Sequence, residues 1–219
     1  LTALTNSIGV RPGPGLNIVL VMSPGPIVAG EPVDDWLAVE DEFGNRLVLS
    51  DEELGTLAFS DESGPVDCAH TGIALPGRTY GYRCTMLTAS LDTTLYASAD
   101  WSGAVGSVGP FSVNPGPLDT VVVTLDASSS VDVVAGELVA LALEGLDSYG
   151  NRVATDYDLT LSNVAGGLVA DEVLLSGGTA GAIVVPTRAL AGDSIWATYD
   201  DSFVGGTSAF TVIAGEPQG

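Results

Sequence analysis

Val28-Ala29-Gly30-Glu31 recurs as Val134-Ala135-Gly136-Glu137, and Asp41-Glu42-Phe43-Gly44-Asn45-Arg46-Leu47 recurs as Asp147-Ser148-Tyr149-Gly150-Asn151-Arg152-Val153. In both copies the second motif follows the first at the same offset. Further along, Leu95-Tyr96-Ala97-Ser98-Ala99 matches Ile195-Trp196-Ala197-Thr198-Tyr199, and Phe111-Ser112-Val113 matches Phe210-Thr211-Val212. A period of about one hundred residues is too long for a solenoid unit and suits a whole small domain. The 219 residues therefore read as an N-terminal strand-and-linker segment (1–13), a first domain (14–113), a hinge (114–117), a second domain (118–213) and a C-terminal linker (214–219). The hinge, Asn114-Pro115-Gly116-Pro117, is short and semi-stiff because two prolines flank one glycine.

Each repeat reads as strands. In the second, residues 118–125, 138–146, 157–161, 168–175, 182–185, 195–199 and 209–213 are β-branched or alternating runs broken by Gly, Asp, Ser or Asn. About seven short strands at this spacing predict an antiparallel sandwich. The one helical rival is 138–145, rich in Leu, Ala and Glu. Gly136 and Gly145 keep it short, and it reads as strand. In the Asp-x-aromatic-Gly-Asn motif, Gly44-Asn45 and Gly150-Asn151 tolerate the left-handed backbone of a turn. Asp41 and Asp147 are placed to accept backbone N–H bonds of that turn, with Phe43 and Tyr149 expected to pack over the sandwich end. A calcium site at Asp41 or Asp147 is the alternative.

Charge narrows the function. There are 6 basic residues, all arginine, against 28 acidic ones, a net charge of −22. Nucleic-acid binding needs a basic patch to replace phosphate counterions and is excluded. Docking on an anionic membrane surface is disfavoured too, and no run is long and apolar enough for membrane insertion. Mean hydropathy of +0.37 and 46% apolar residues exclude a disordered chain. Leu1 is not an initiator methionine, so a processed mature protein or a piece of a longer chain is expected.

Cys68 and Cys84 are the only cysteines. An isolated even pair favours a disulfide and an oxidising compartment. With the cysteines paired, the single histidine, His70, has no thiol to activate. No Gly-x-Ser-x-Gly elbow or basic phosphate clamp is present, so no catalytic residue is assigned and no enzyme is expected. Acidic clusters at Asp34-Asp35, Glu40-Asp41-Glu42, Asp51-Glu52-Glu53, Asp61-Glu62, Asp171-Glu172 and Asp200-Asp201 lack the Asp-x-Asp-x-Asp-Gly order of a calcium loop. They read as solvated surface, with calcium the only cofactor worth naming. Carbohydrate binding would use exposed aromatics; Trp36 and Trp101 are the candidates for such a platform, while Trp196 reads as core.

At residues 28–47 and 134–153, and again at 111–117 and 210–217, the chain resembles the bacterial immunoglobulin-like repeats of surface proteins, the invasin/intimin- and filamin-like group. The resemblance covers both domains. It implies an all-β chain of two tandem immunoglobulin-like antiparallel sandwiches, extracellular or on the cell surface, in a structural or adhesive role. The Cys68–Cys84 pair departs from the pattern and is expected to staple an insertion-like stretch, 61–86. Carbohydrate-binding or enzyme-appended modules are the alternative reading. The partners expected are copies of the chain itself or a cell-surface protein.

Ser7-Ile8-Gly9-Val10-Arg11-Pro12-Gly13-Pro14 lines up with Pro110-Phe111-Ser112-Val113-Asn114-Pro115-Gly116-Pro117. The N-terminal segment thus resembles a last strand plus its linker. Either it comes from a longer array, or it packs on its own domain, or it adds a strand to a neighbouring copy, with Leu4, Ile8 and Val10 setting the register. Repeated without closure, that last contact builds a filament.

Overall fold

Short alternating runs become strands almost throughout. The computed structural model describes residues 11–125, 132–169 and 172–215. The chain divides between Asn114 and Pro115 into two units, each with its own core. The first contains β1 (Asn17–Met22), β2 (Ile27–Val28), β3 (Pro32–Glu40), a short helix α1 (Asp51–Gly55), β4 (Ala58–Asp61), β5 (Gly64–Pro65), β6 (Asp67–Leu75), β7 (Thr79–Thr85), β8 (Ser90–Ala99) and β9 (Ala104–Asn114). The second contains β10 (Thr120–Leu125), β11 (Asp132–Val134), β12 (Val139–Leu146), β13 (Tyr157–Asn163), β14 (Leu168–Val169), β15 (Glu172–Leu175), β16 (Thr179–Pro186), β17 (Leu190–Asp193), β18 (Ile195–Tyr199), β19 (Ser202–Gly206) and β20 (Phe210–Ile213). The helical rival is strand: residues 139–145 lie within β12, which begins after the Gly136 turn and runs on through Gly145 to Leu146.

In the first unit the strands pair in the order β5-β4-β8-β9-β1-β3-β7-β6, with β2 alongside β9. β1 joins the two layers. It runs antiparallel to β3, with Ile18 opposite Val39 and Leu20 opposite Leu37, and parallel to β9 at Asn17 and Val105. The sheet folds over so that Ile18, Leu37, Val39 and Tyr82 meet Phe59, Leu95 and Ala97 in one core, and it stays open at β5 and β6. The second unit repeats the plan with separate sheets, β10-β12-β16-β14 and β15-β13-β18-β19, plus β11-β20-β17. Val121, Leu141, Leu143, Leu159, Leu161 and Ile195 fill the space between them. Burial alternates along these strands, as it must when one face packs and the other is wet.

The repeated Val-Ala-Gly-Glu motif closes each sandwich. Ala29 N–H donates to Asn114 O and Gly30 N–H to Met86 O, both at 2.8 Å, while Ala135 N–H donates to Ile213 O and Gly136 N–H to Pro186 O, also at 2.8 Å. The motif thus ties the early strand β2 or β11 to the last strand of its own unit. A second shared feature is close backbone approach. A Cβ added at Gly106 would overlap the Ile18 carbonyl oxygen, and one added at Gly205 would overlap that of Val121. Only glycine lets β9 and β19 pass so near the first strand of their units.

Several expectations need correction. The stretch 61–86 is not an insertion: β6 and β7 are regular strands of the sheet, paired from Asp67–Thr85 to Leu75–Thr79 around one bulge. The run 168–175 is not one strand. Leu168–Val169 pairs with β16 and Glu172–Leu175 with β13, so the chain changes sheets there, a usual device at sandwich corners. Phe43 and Tyr149 do not pack over the sandwich ends; they are 78% and 47% exposed. Trp196 is half-buried rather than core, because it alternates with the buried Ile195 and Ala197 and so faces outward. The helix α1 escaped the sequence reading, although Ser50-Asp51-Glu52-Glu53 spells a capping box: Ser50 N–H donates to Glu53 Oε2 at 2.7 Å and Glu53 N–H to Ser50 Oγ at 3.3 Å.

Candidate functional site

The most built polar constellation occurs twice. Where β3 ends, the buried Asp41 turns its carboxylate onto four donor groups. Oδ1 accepts the N–H of Phe43 at 2.9 Å and of Asn45 at 2.8 Å; Oδ2 accepts the N–H of Gly13 at 2.9 Å. The Asn45 amide spans both oxygens at 3.1 and 3.0 Å. Where β12 ends, the buried Asp147 does the same. Oδ1 accepts from Tyr149 and Asn151 N–H, each at 2.9 Å, and Oδ2 from Gly116 N–H at 2.8 Å. Asn151 Nδ2 reaches Oδ1 at 3.2 Å and Oδ2 at 2.9 Å. The turn itself closes with Gly44 N–H on Asp41 O and Gly150 N–H on Asp147 O, both glycines at positive φ (78° and 83°).

Each carboxylate therefore does more than hold its own turn. It clamps the glycine of the preceding Pro-Gly-Pro linker, Gly13 or Gly116, onto the domain that follows. An arrangement of N–H groups around both oxygens suits an anion and leaves no lone pairs aimed at a cation. The Asn45 amide, helped by the N–H groups of Asn45, Gly13 and Phe43, pulls the Asp41 carboxyl down to about 2 against its burial. Burial pushes Asp147 upward, but the donors of Asn151, Gly116 and Tyr149 outweigh it and hold it below the ordinary carboxylate range. Among the described residues no group of three or more His, Cys, Asp or Glu stands ready for a metal, and calcium at Asp41 or Asp147 has no geometric support. In the second unit, Leu118 N–H also donates to Tyr157 Oη at 3.1 Å, which fastens the linker further.

Cys68 and Cys84 are joined in a disulfide between directly opposed residues of β6 and β7. The loop it closes is worth about 3 kcal/mol in the chain-entropy picture. His70 lies two residues on, with ring centroids 5.4 Å from Tyr82 and 6.4 Å from Tyr80, so it sits in an aromatic cluster. Trp36 is half-buried in the middle of β3, opposite Val21 and Gly81. Trp101, 37% exposed, lies in the β8–β9 turn. By register they are not neighbours: Trp36 is level with Val21, whereas Trp101 lies in the turn beyond the Asn17–Val105 end of the same sheet. Leu4, Ile8 and Val10 lie outside the described residues.

One residue the sequence reading passed over is Asp35. It faces the core of the first unit in line with Leu37 and Val39, is 1% exposed, and neither carboxylate oxygen has a hydrogen-bond partner. Burial, with Asp34 beside it, pushes its pKa up to about 7.

No family model matches the chain, and no curated protein matches its sequence. Solved structures do share its fold. FdeC, an adhesin of Escherichia coli, is 17% identical with a TM-score of 0.50, over 94% of this chain and 67% of that one. Invasin, a bacterial integrin-binding protein, is 17% identical with a TM-score of 0.47, over 91% of this chain and 41% of that one. InvE, an adhesin of Yersinia pseudotuberculosis, is 18% identical with a TM-score of 0.39, over 90% of this chain and 58% of that one. The all-β, immunoglobulin-like fold is thus one this chain shares with FdeC.

Proposed function

We propose that the chain serves as a segment of an extracellular adhesive array, two immunoglobulin-like sandwiches on a linker that each downstream domain grips through one buried carboxylate. The observation that carries this reading is the duplicate clamp: Asp41 on Gly13 and Asp147 on Gly116. A free Pro-Gly-Pro segment keeps torsional freedom at its glycine; fixing that N–H removes it, which suits a spacer that must hold a binding surface away from its anchor. Fold similarity to adhesins and an acidic, disulfide-bonded chain support a place at the cell surface and a role without catalysis. Antibody against the second unit should stain intact native cells as strongly as permeabilised ones; staining only after permeabilisation defeats the reading. Asp147→Ala should leave both sandwiches folded, destabilise the second by about 2–3 kcal/mol through its abandoned N–H donors, and broaden the interdomain distances seen by spin labels. Unchanged distance distributions would remove the clamp from the account.

Copies of the chain are also proposed as partners, with residues 1–10 adding a strand through Leu4, Ile8 and Val10. What favours this is β6, the nine-residue strand at one end of the first unit's sheet. Its outer edge carries exposed Ile73 and Leu75, and it lacks the lysines or prolines that usually blunt such edges. Deleting 1–10 should abolish any concentration-dependent assembly in sedimentation. Equal assembly by the truncated chain, or a full chain that stays monomeric at high concentration, counts against it.

A further inference from the structure

The outward face of β4, β8 and β9 in the first unit holds a groove of about 450 Å³, lined by Ser60, Pro65, Tyr96, Ser98, Val105 and Gly106 among others. Tyr96 and Val105 are exposed there. The register neighbours of Tyr96 are Ser60 and Ser107, too short to cover its ring. The ring is held from one end: the Glu62 carboxylate accepts Thr94 N–H at 3.1 Å and the Tyr96 hydroxyl at 3.5 Å. Across β5, a second depression of about 390 Å³ shares Gly64 and Pro65 with the first and is lined by Asp61 and Asp67.

Charge on this face is of one sign. The segments that build it, 56–67 and 88–114, contain Asp61, Glu62, Asp67, Asp92 and Asp100 and no Lys or Arg. Arg46, Arg78 and Arg83 belong to other segments, where they engage Glu40, the Arg46 carbonyl and Asp34. At this face an apolar groove with an anionic rim repels the acidic body of a second copy, whose net charge is −22, and attracts a cation-bearing protein.

We propose that this face docks a cationic partner protein, through a segment that places one aliphatic or aromatic side chain beside Tyr96 and flanking Lys or Arg side chains against Asp61, Glu62 and Asp67. The proposal rests on the adhesive reading only in taking the partner to be another protein; it assigns the first unit a contact of its own beyond spacing. Small flanks around a fixed aromatic ring give the anchor a pocket, and the rim supplies orientation and on-rate.

The test uses the full chain and a Lys/Arg-rich peptide with one central leucine, measured by fluorescence anisotropy. Binding should weaken steeply as salt is raised. Ser98→Arg fills the groove with a cation and should weaken binding about tenfold or more. Val122→Arg, at an exposed position of the second unit and outside the groove's lining, changes net charge by the same amount and should leave binding within about twofold. Ser60→Arg repeats the groove test should Ser98→Arg melt abnormally. No binding at low salt, or equal losses in the groove and Val122 variants, overturns the proposal. So does a neutral glycan that binds in place of the peptide and is displaced by Ser98→Arg, because the groove then takes sugars. Interdomain distances stay as in the wild type throughout, so failure here is separable from failure of the clamp.

Discussion

Asp35→Val should raise the stability of the first unit by a few kcal/mol near pH 8, because it removes a buried carboxylate that nothing compensates. Its register neighbours are Met22 and Tyr82, and the Tyr82 hydroxyl is already donated to Leu54 O at 2.8 Å. Asp34 adds like charge from the next position, while Arg83 is engaged with Asp34 at the surface. The sign follows from linkage. The carboxyl has an ordinary value of 3.8 and rises to about 7 in the fold. Between those values the folded state holds a proton that the unfolded chain has lost, so this group's contribution to stability is full below 3.8, falls as pH rises, and levels off above about 7. Urea titrations from pH 4 to 8 should show this decline in the wild type and lose most of it in Asp35→Val. Parallel curves for the two proteins would show that Asp35 is not the buried acid described.

Gly205→Ala should destabilise the second unit by about 3 kcal/mol or more. The new methyl has nowhere to go: it meets the Val121 carbonyl oxygen and lies 2.8 Å from its carbon, and both are backbone. β10 and β19 must separate to admit it. Gly106→Ala should do the same to the first unit against Ile18. Gly181→Ala is the control, since a Cβ on β16 at that position meets nothing within 4 Å. Denaturant midpoints separate the outcomes: a Gly205→Ala protein as stable as Gly181→Ala would refute the close approach.

The architecture was readable because its signals are local and repeated. Val-Ala-Gly-Glu and Asp-x-aromatic-Gly-Asn mark the same corners in both units, and alternation marks the strands between them. The disulfide followed from simple arithmetic on two cysteines. Partnerships across the chain were not readable. The clamp joins Asp41 to a glycine 28 residues earlier and Asp147 to one 31 residues earlier; the unequal spacing hid the pairing, although both halves of it stood out. Gly106 and Gly205 look like ordinary turn glycines until the first strand is laid beside them. Asp35 was lost among neighbouring acids, because Asp34-Asp35 says nothing about which side chain points inward. Only the pleat decides it, with Asp34 on the wet face and Asp35 in line with Leu37. Trp196 shows the same limit: an aromatic in a strand run suits the core by composition, but its place between the buried Ile195 and Ala197 sets it on the outer face.

Amide hydrogen exchange at Gly13 and Gly116, followed residue by residue by NMR in the intact chain, tests the central claim most directly. A linker N–H bonded to a buried carboxylate exchanges slowly, at a rate set by opening of the clamp rather than by the solvent. Gly116 should be protected in the wild type and should lose that protection in Asp147→Ala, while Gly13 stays protected because its own acceptor, Asp41, is untouched. If Gly116 exchanges as fast in the wild type as an unstructured Pro-Gly segment, the linker is free and the clamped-array account is contradicted.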